Sequence, residues 1–346
     1  MPIPVDLIRT LGVVLVILLH ASTEPYPSGT LMQPGAVVSW WSFNVYDSLA
    51  WIGVPLFVML SGALLLAPGK IEPLRVFFRK RWKRIGLPFL FWGGAYFVWD
   101  FLVVRHVFSW NFVVHGILTG PYYHFWYLYM LVGLYLVTPI LRLALARIDR
   151  RTFRYFVVLC FVGTVLLPIL GLLGTLEADV YIFIFSGWIG YYLFGAYLIE
   201  TRLRGRVLAV LLVLGVVWTA IGNYLVDLAV GARYYYLHLN SLTANVILAT
   251  SAVFLLLKAL GPDRFQIRFP RGNMLVSQIS QNSLPLYLFH VMIIESFEKG
   301  YFGFTLNINT LNPIIEIPLI TAMTLFVTLG LILALKKIPY AKNLLG

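Results

Sequence analysis

The chain has 346 residues, 60% of them hydrophobic and only 12% charged, with a mean hydropathy of +0.86. That balance excludes an ordinary soluble domain. The formal charge of +12 does not signal a nucleic-acid partner, because no soluble module interleaves aromatic and base-reading groups. The composition gives an all-α, polytopic membrane protein.

Ten apolar stretches are long enough to span a bilayer of about 30 Å: 5–22, 45–67, 86–104, 122–145, 153–173, 180–199, 207–226, 238–260, 278–298 and 313–335. The first does not read as a cleaved signal peptide. It holds Arg9 internally, lacks a small-residue cleavage site and is one span among many. Between Arg9 and His20 everything is apolar except Thr10. Eleven residues bring a helix back to about 20° past three full turns, so both side chains share one face, roughly 16 Å apart. Ionisable groups at that depth are costly and mark a cavity or substrate path. Glu24, one turn beyond His20, either orients its imidazole or is a solvated acid at the helix end.

The second span ends in VPLFVMLSGALLL, where Ser61-Gly62 permits close helix contact and offers one hydroxyl. The following run, FFRKRWKRIGLPF, puts Arg81 and Arg84 three apart, neighbours on a helix. Arginine forks match phosphate geometry; the plainer reading is attraction to anionic lipid heads. Segment 108–121 is too short to span and is expected to lie along the outer surface or to re-enter. The fourth span opens with PYYHFWYLYM, where His124, Trp126 and Tyr127 form either an acceptor-site lining or part of an interfacial aromatic belt. The only cysteine, Cys160, lies in the fifth span, which excludes an intramolecular disulfide.

The ninth span, SQISQNSLPLYLFHVMIIESFE, sets Ser283, Tyr287 and His290 on one helical stripe. Such groups serve either chemistry or hydrogen bonding between helices. It runs in the same direction as the first span, so His290 is expected at a height comparable with His20. Asp6, Glu295, Glu298 and Glu316 sit nearer span ends and carry the same two readings.

Basic residues set the orientation. The loops after the second, fourth, sixth and eighth spans, with the tail, carry 22 of the 26 Lys and Arg. The opposite side carries only Arg105, Arg233 and Lys299. This positive-inside bias predicts about ten transmembrane helices with both termini cytoplasmic. It puts Arg9 near the cytoplasmic surface and His20 in the outer half. A multi-pass protein of the cell (cytoplasmic) membrane follows, read as a single domain over 1–346.

Together these motifs resemble the acyltransferase-3 family of integral-membrane acyltransferases, which includes stand-alone O-acetyltransferases of surface polysaccharides. Its arginine–ten residues–histidine motif falls on Arg9 and His20, preceded by Asp6. The second-span pattern matches Pro55, Phe57, Ser61 and Gly62, and the loop pair matches Arg81 and Arg84, followed by Leu87-Pro88. The fourth-span pattern matches His124, Trp126, Tyr127, Tyr135 and Pro139. The late pattern matches Ser280, Ser283, Tyr287, Leu288 and His290, and the tail KKIPYAKNLLG has the family's ending.

The resemblance implies transfer of an acyl group, most often acetyl from acetyl-CoA, to a hydroxyl of a glycan or lipid-linked glycan. In that reading Arg81, Arg84 and Arg9 hold the anionic end of acyl-CoA at the cytoplasmic face. His20 acts as general base, or is itself acylated and passes the group on. Glu24 orients His20, and His290, Tyr287 or Ser283 steadies the developing oxyanion. His124, Trp126, Tyr127 and Ser61 line the acceptor side. No metal is expected, and membrane lipids surround the bundle. Two rival classes remain: a transporter or exporter of a glycan or lipid precursor, which would be expected to show inverted repeats with broken helices, and a binding or scaffold protein, which would not need His20.

Overall fold

The computed structural model describes residues 3–23, 37–69, 72–105, 109–172, 181–230, 241–268, 270–307, 310–339 and 341–346. Among these every regular element is a helix, as the composition requires. In chain order they are α1 (Val5–Thr23), α2 (Val37–Ala50), α3 (Gly53–Leu65), α4 (Leu74–Arg81), α5 (Leu87–Trp99), α6 (Trp110–Thr119), α7 (Trp126–Leu145) and α8 (Arg150–Leu172). There follow α9 (Tyr181–Leu198), α10 (Gly205–Val230), α11 (Ala244–Arg268), α12 (Pro270–Gln281), α13 (Ser283–Glu298), α14 (Pro313–Leu335) and α15 (Ala341–Leu345). Among the described residues seven helical segments are long and apolar enough to cross a membrane. The described parts of all ten apolar stretches are mainly helical, although several depart from a single unbroken span.

Two departures come from proline. The stretch 45–67 is split at Trp51-Ile52, and α3 begins so that Pro55 falls in its first turn. The expected ninth helix is likewise not continuous: it breaks at Asn282 (φ −107°, ψ 15°), and α13 begins with Pro285 in its first turn. A proline deeper in a helix loses an N–H bond and strikes the carbonyl four residues earlier, whereas in the first turn it costs nothing. Asn282 closes α12 by donating from Nδ2 to the Gln278 carbonyl at 2.7 Å. Segment 108–121 holds a short helix of its own, α6. Between α4 and α5 runs a π-helical turn, Trp82–Gly86, so Arg81 and Arg84 do not sit on a regular α-helical face. Such turns re-aim side chains and recur at functional sites.

α1 packs against α2, α3, α12, α13 and α14, which makes the helix carrying Arg9 and His20 central to the bundle. α3 packs closely on α9. A Cβ on Gly62 would lie 1.7 Å from the Tyr192 carbonyl oxygen, and one on Gly195 would lie 1.9 Å from that of Met59. The two helices therefore touch backbone to backbone through reciprocal glycines, as small residues permit in membranes. This contact fixes the face of α3 that bears Ser61.

Candidate functional site

A cavity of about 230 Å³ gathers side chains from α1, α3, α4, the π-turn, α7 and α13. Arg9, Ser61, Arg81, Arg84, Tyr127, Ser283 and Tyr287 all line it, although the chain separates them by up to 278 positions (9 to 287). Arg81 is held by rings: its guanidinium carbon lies 5.2 Å from the Phe77 centroid and 5.6 Å from that of Tyr135. Such stacking orients the cation while leaving its donors in plane, and Arg81 Nε has no hydrogen-bond partner among the described residues. Arg142 also lies over Phe77, at 5.0 Å, and its Nε donates to the Leu65 carbonyl at 2.7 Å. Glu72 sits 3.6 Å from Arg142 Nη1 and accepts from Lys80 at 2.7 Å. The Lys80 hydrogen bond holds the Glu72 carboxyl below its ordinary range.

A second cavity, about 730 Å³, shares Arg9, Arg84, Ser283 and Leu284 with the first. It adds Lys83, Lys336 and Lys342, and among the described residues no Asp or Glu side chain lines it. Burial, aided by the neighbouring Lys342, lowers the Lys336 ammonium below the usual lysine range. Lys336 Nζ donates to the Gly346 carbonyl oxygen at 2.7 Å, and the like charges gathered around this cavity favour an anion. Gln278, Gln281 and Asn282, at the break between α12 and α13, supply neutral polar groups to the same wall.

On the other side of the first cavity, Tyr127 packs against Phe57 and Tyr287, with centroids 6.3 and 5.1 Å apart. Beyond these rings the histidines meet. His290 Nε2 lies 2.9 Å from His20 Nδ1. The His124 ring is 5.7 Å from His290 and 6.4 Å from His20. His290 and His124 are buried and His20 is half-buried. Tyr287 donates its hydroxyl to the His124 carbonyl at 2.5 Å, pinning the short turn that carries His124. Its proton is thus engaged with the backbone. Further out, Glu295 accepts from Trp99 Nε1 at 2.6 Å and from the Tyr122 hydroxyl.

The remaining sequence candidates lie apart. His20 and His290 line neither of the two cavities. Trp126 is 40% exposed and packs on Trp188 at 5.3 Å. Glu24 lies outside the described residues. Sequence reasoning passed over Phe77, Arg142, Lys336 and Lys342, since an aromatic beside an apolar run and cations in basic loops have ordinary explanations. It also missed Tyr123, whose ring lies 5.4 Å from that of His20 at a tilt of 50°.

A basic cavity that shares Arg9, Arg84, Ser283 and Leu284 with an arginine-lined one suits an extended anionic molecule. The paired imidazoles beyond it suit proton transfer. A family model described as an acyltransferase domain matches residues 4–333. No curated protein and no solved structure matches the chain. The chain belongs to the acyltransferase-3 family, and its apolar helices fit a multi-pass membrane acyltransferase.

Proposed function

We propose that the protein moves an acyl group, acetyl in the simplest case, from cytoplasmic acyl-CoA to a hydroxyl of a cell-surface or lipid-linked glycan. The observation that carries this reading is the sharing of Arg9, Arg84 and Ser283 between a lysine-rich vestibule and the Arg81 chamber. The vestibule receives the phosphorylated nucleotide end, with Lys83, Lys336 and Lys342 beside Arg84. The chamber, walled by Leu60, Leu64, Leu131 and Tyr135, receives the thin pantetheine arm. The thioester then passes Phe57, Tyr127 and Tyr287 to reach His20, which requires those rings to part. The 22-to-3 split of basic residues supports ten spans in the cell membrane, both termini cytoplasmic and His20 in the outer half.

His20 removes the proton from the acceptor hydroxyl as its oxygen attacks the thioester carbonyl carbon. The carbon–sulfur bond breaks, and the leaving thiolate takes that proton from His20, leaving CoA-SH and an ester. His124, whose ring nitrogens are buried close to both other histidines, is the group placed to donate to the oxyanion. Incubation of membranes with labelled acetyl-CoA, followed by extraction of glycolipid and polysaccharide, tests the reading. Label in the native protein and its loss on Arg81→Ala are expected; undiminished label in Arg81→Ala contradicts the donor site.

A further inference from the structure

We propose that His290 is a positioning residue that, together with the Val16 carbonyl, holds His20 in one tautomer and one direction, with its reactive lone pair on Nε2. The proposal rests on the functional reading above only for the word reactive; the tautomer itself follows from hydrogen-bond geometry. His290 Nδ1 lies 2.7 Å from the Tyr287 carbonyl oxygen, an acceptor with no proton to give. His290 Nδ1 therefore carries the hydrogen, and the Nε2 of the neutral ring is a lone pair. That lone pair faces His20 Nδ1 at 2.9 Å.

The other end leads independently to the same assignment. His20 Nδ1 also lies 3.0 Å from the Val16 carbonyl oxygen, again an acceptor only. Two backbone carbonyls, on α1 and α13, thus require the hydrogen on both Nδ1 atoms. The chain runs from His20 Nδ1–H to His290 Nε2, and from His290 Nδ1–H to the Tyr287 carbonyl. The His20 Nε2 is left without a proton in the neutral ring. It makes no hydrogen bond among the described residues. The Val16 carbonyl shares the Nδ1–H from within α1 at 3.0 Å, and His290, reaching from α13 at 2.9 Å, is the acceptor that ties the ring's direction to a second helix.

This arrangement serves both protonation states of His20. Once Nε2 has taken a proton, Nδ1–H still donates to His290, so the ring need not turn before returning that proton. Among the described residues no Asp or Glu bonds to either ring, and a neutral imidazole occupies the place a carboxylate holds in other catalytic dyads. His290 does this without touching either reactant.

The test uses full-length protein labelled with 15N-histidine in detergent or nanodiscs. Native protein is expected to give His20 with Nδ1 protonated and Nε2 bare, and a 15N–15N coupling across the hydrogen bond to His290. His20→Gln and His290→Gln variants assign the signals. In turnover, His290→Ala is expected to lower kcat about 10²-fold with KM for acetyl-CoA within about twofold. His290→Gln, whose amide oxygen can stand where Nε2 stood, is expected to recover at least tenfold of that loss. A His20 protonated on Nε2, or equal kcat losses for the Ala and Gln variants, overturns the proposal. The correct tautomer in a protein that transfers no acyl group would instead sink only the functional reading.

Discussion

His20 and His290 stand 270 positions apart in the chain, yet their Nδ1 and Nε2 atoms lie 2.9 Å from each other. Each is carried by a helix with a separate reason for its place. α1 packs against six other helices, α11 among them, and α13 restarts at Asn282 so that Pro285 occupies a first turn. Moving that break by one residue would rotate His290 by about 100° away from His20.

Arg81 should not tolerate lysine. Its planar guanidinium lies over Phe77 and Tyr135, and an ammonium supplies neither the stack nor the fork. Charge-assisted hydrogen bonds are worth about 1.5–3 kcal/mol. KM for acetyl-CoA should therefore rise roughly tenfold to a hundredfold in both Arg81→Lys and Arg81→Ala, as steady-state kinetics would measure. A lysine variant with native KM contradicts the stacked-fork role.

Donor affinity should depend on pH through Lys336. Burial and Lys342 lower its free-state pKa, and a phosphate beside it would raise the pKa again. Binding then takes up a proton: affinity is full below the free-state pKa and weakens as pH rises from that value toward the bound one. Titration of CoA binding from neutral to alkaline pH should show this loss, and Lys336→Arg should move it to higher pH. The same loss at the same pH in Lys336→Arg would assign it elsewhere.

Tyr287→Phe should separate support from chemistry. It removes the donor to the His124 carbonyl, at a stability cost of about 1 kcal/mol. The protein should still fold, with kcat reduced and KM for acyl-CoA nearly native. A large rise in KM with unchanged kcat would place Tyr287 with the donor instead.

Gly62→Ala should damage the scaffold without touching the chemistry. The new methyl would meet the Tyr192 carbonyl at 1.7 Å, so α3 and α9 must separate. Overpacking of this kind costs about 1–3 kcal/mol. Thermal unfolding in detergent should shift down by several degrees; an unchanged midpoint would mean that the helices can part freely.

Much of the fold is written in hydropathy, because a spanning helix must be apolar for about twenty residues. The same property hides the breaks at Trp51-Ile52 and Asn282, since the apolar pattern continues through both. Arg9 and His20 stood out as polar exceptions on one face. Ser61-Gly62 signalled a close helix contact, but its partner Gly195 lies in a run that offers no pairing rule. The depth of His290 followed from helix direction, whereas its contact with His20 depends on how α1 and α13 cross. Arg142, Lys336 and Lys342 belong to the basic loops and tail that carry the positive-inside signal, and only the folded chain sets them beside Phe77 or the second cavity.

The most direct measurement is transfer of labelled acetyl from acetyl-CoA into membrane glycolipid or polysaccharide by native protein and His20→Ala, at matched expression and with CoA binding checked in both. The expected result is label with native protein, a loss of about 10²-fold or more in the variant, and CoA binding unchanged. Native-level transfer by His20→Ala would contradict the account at its centre.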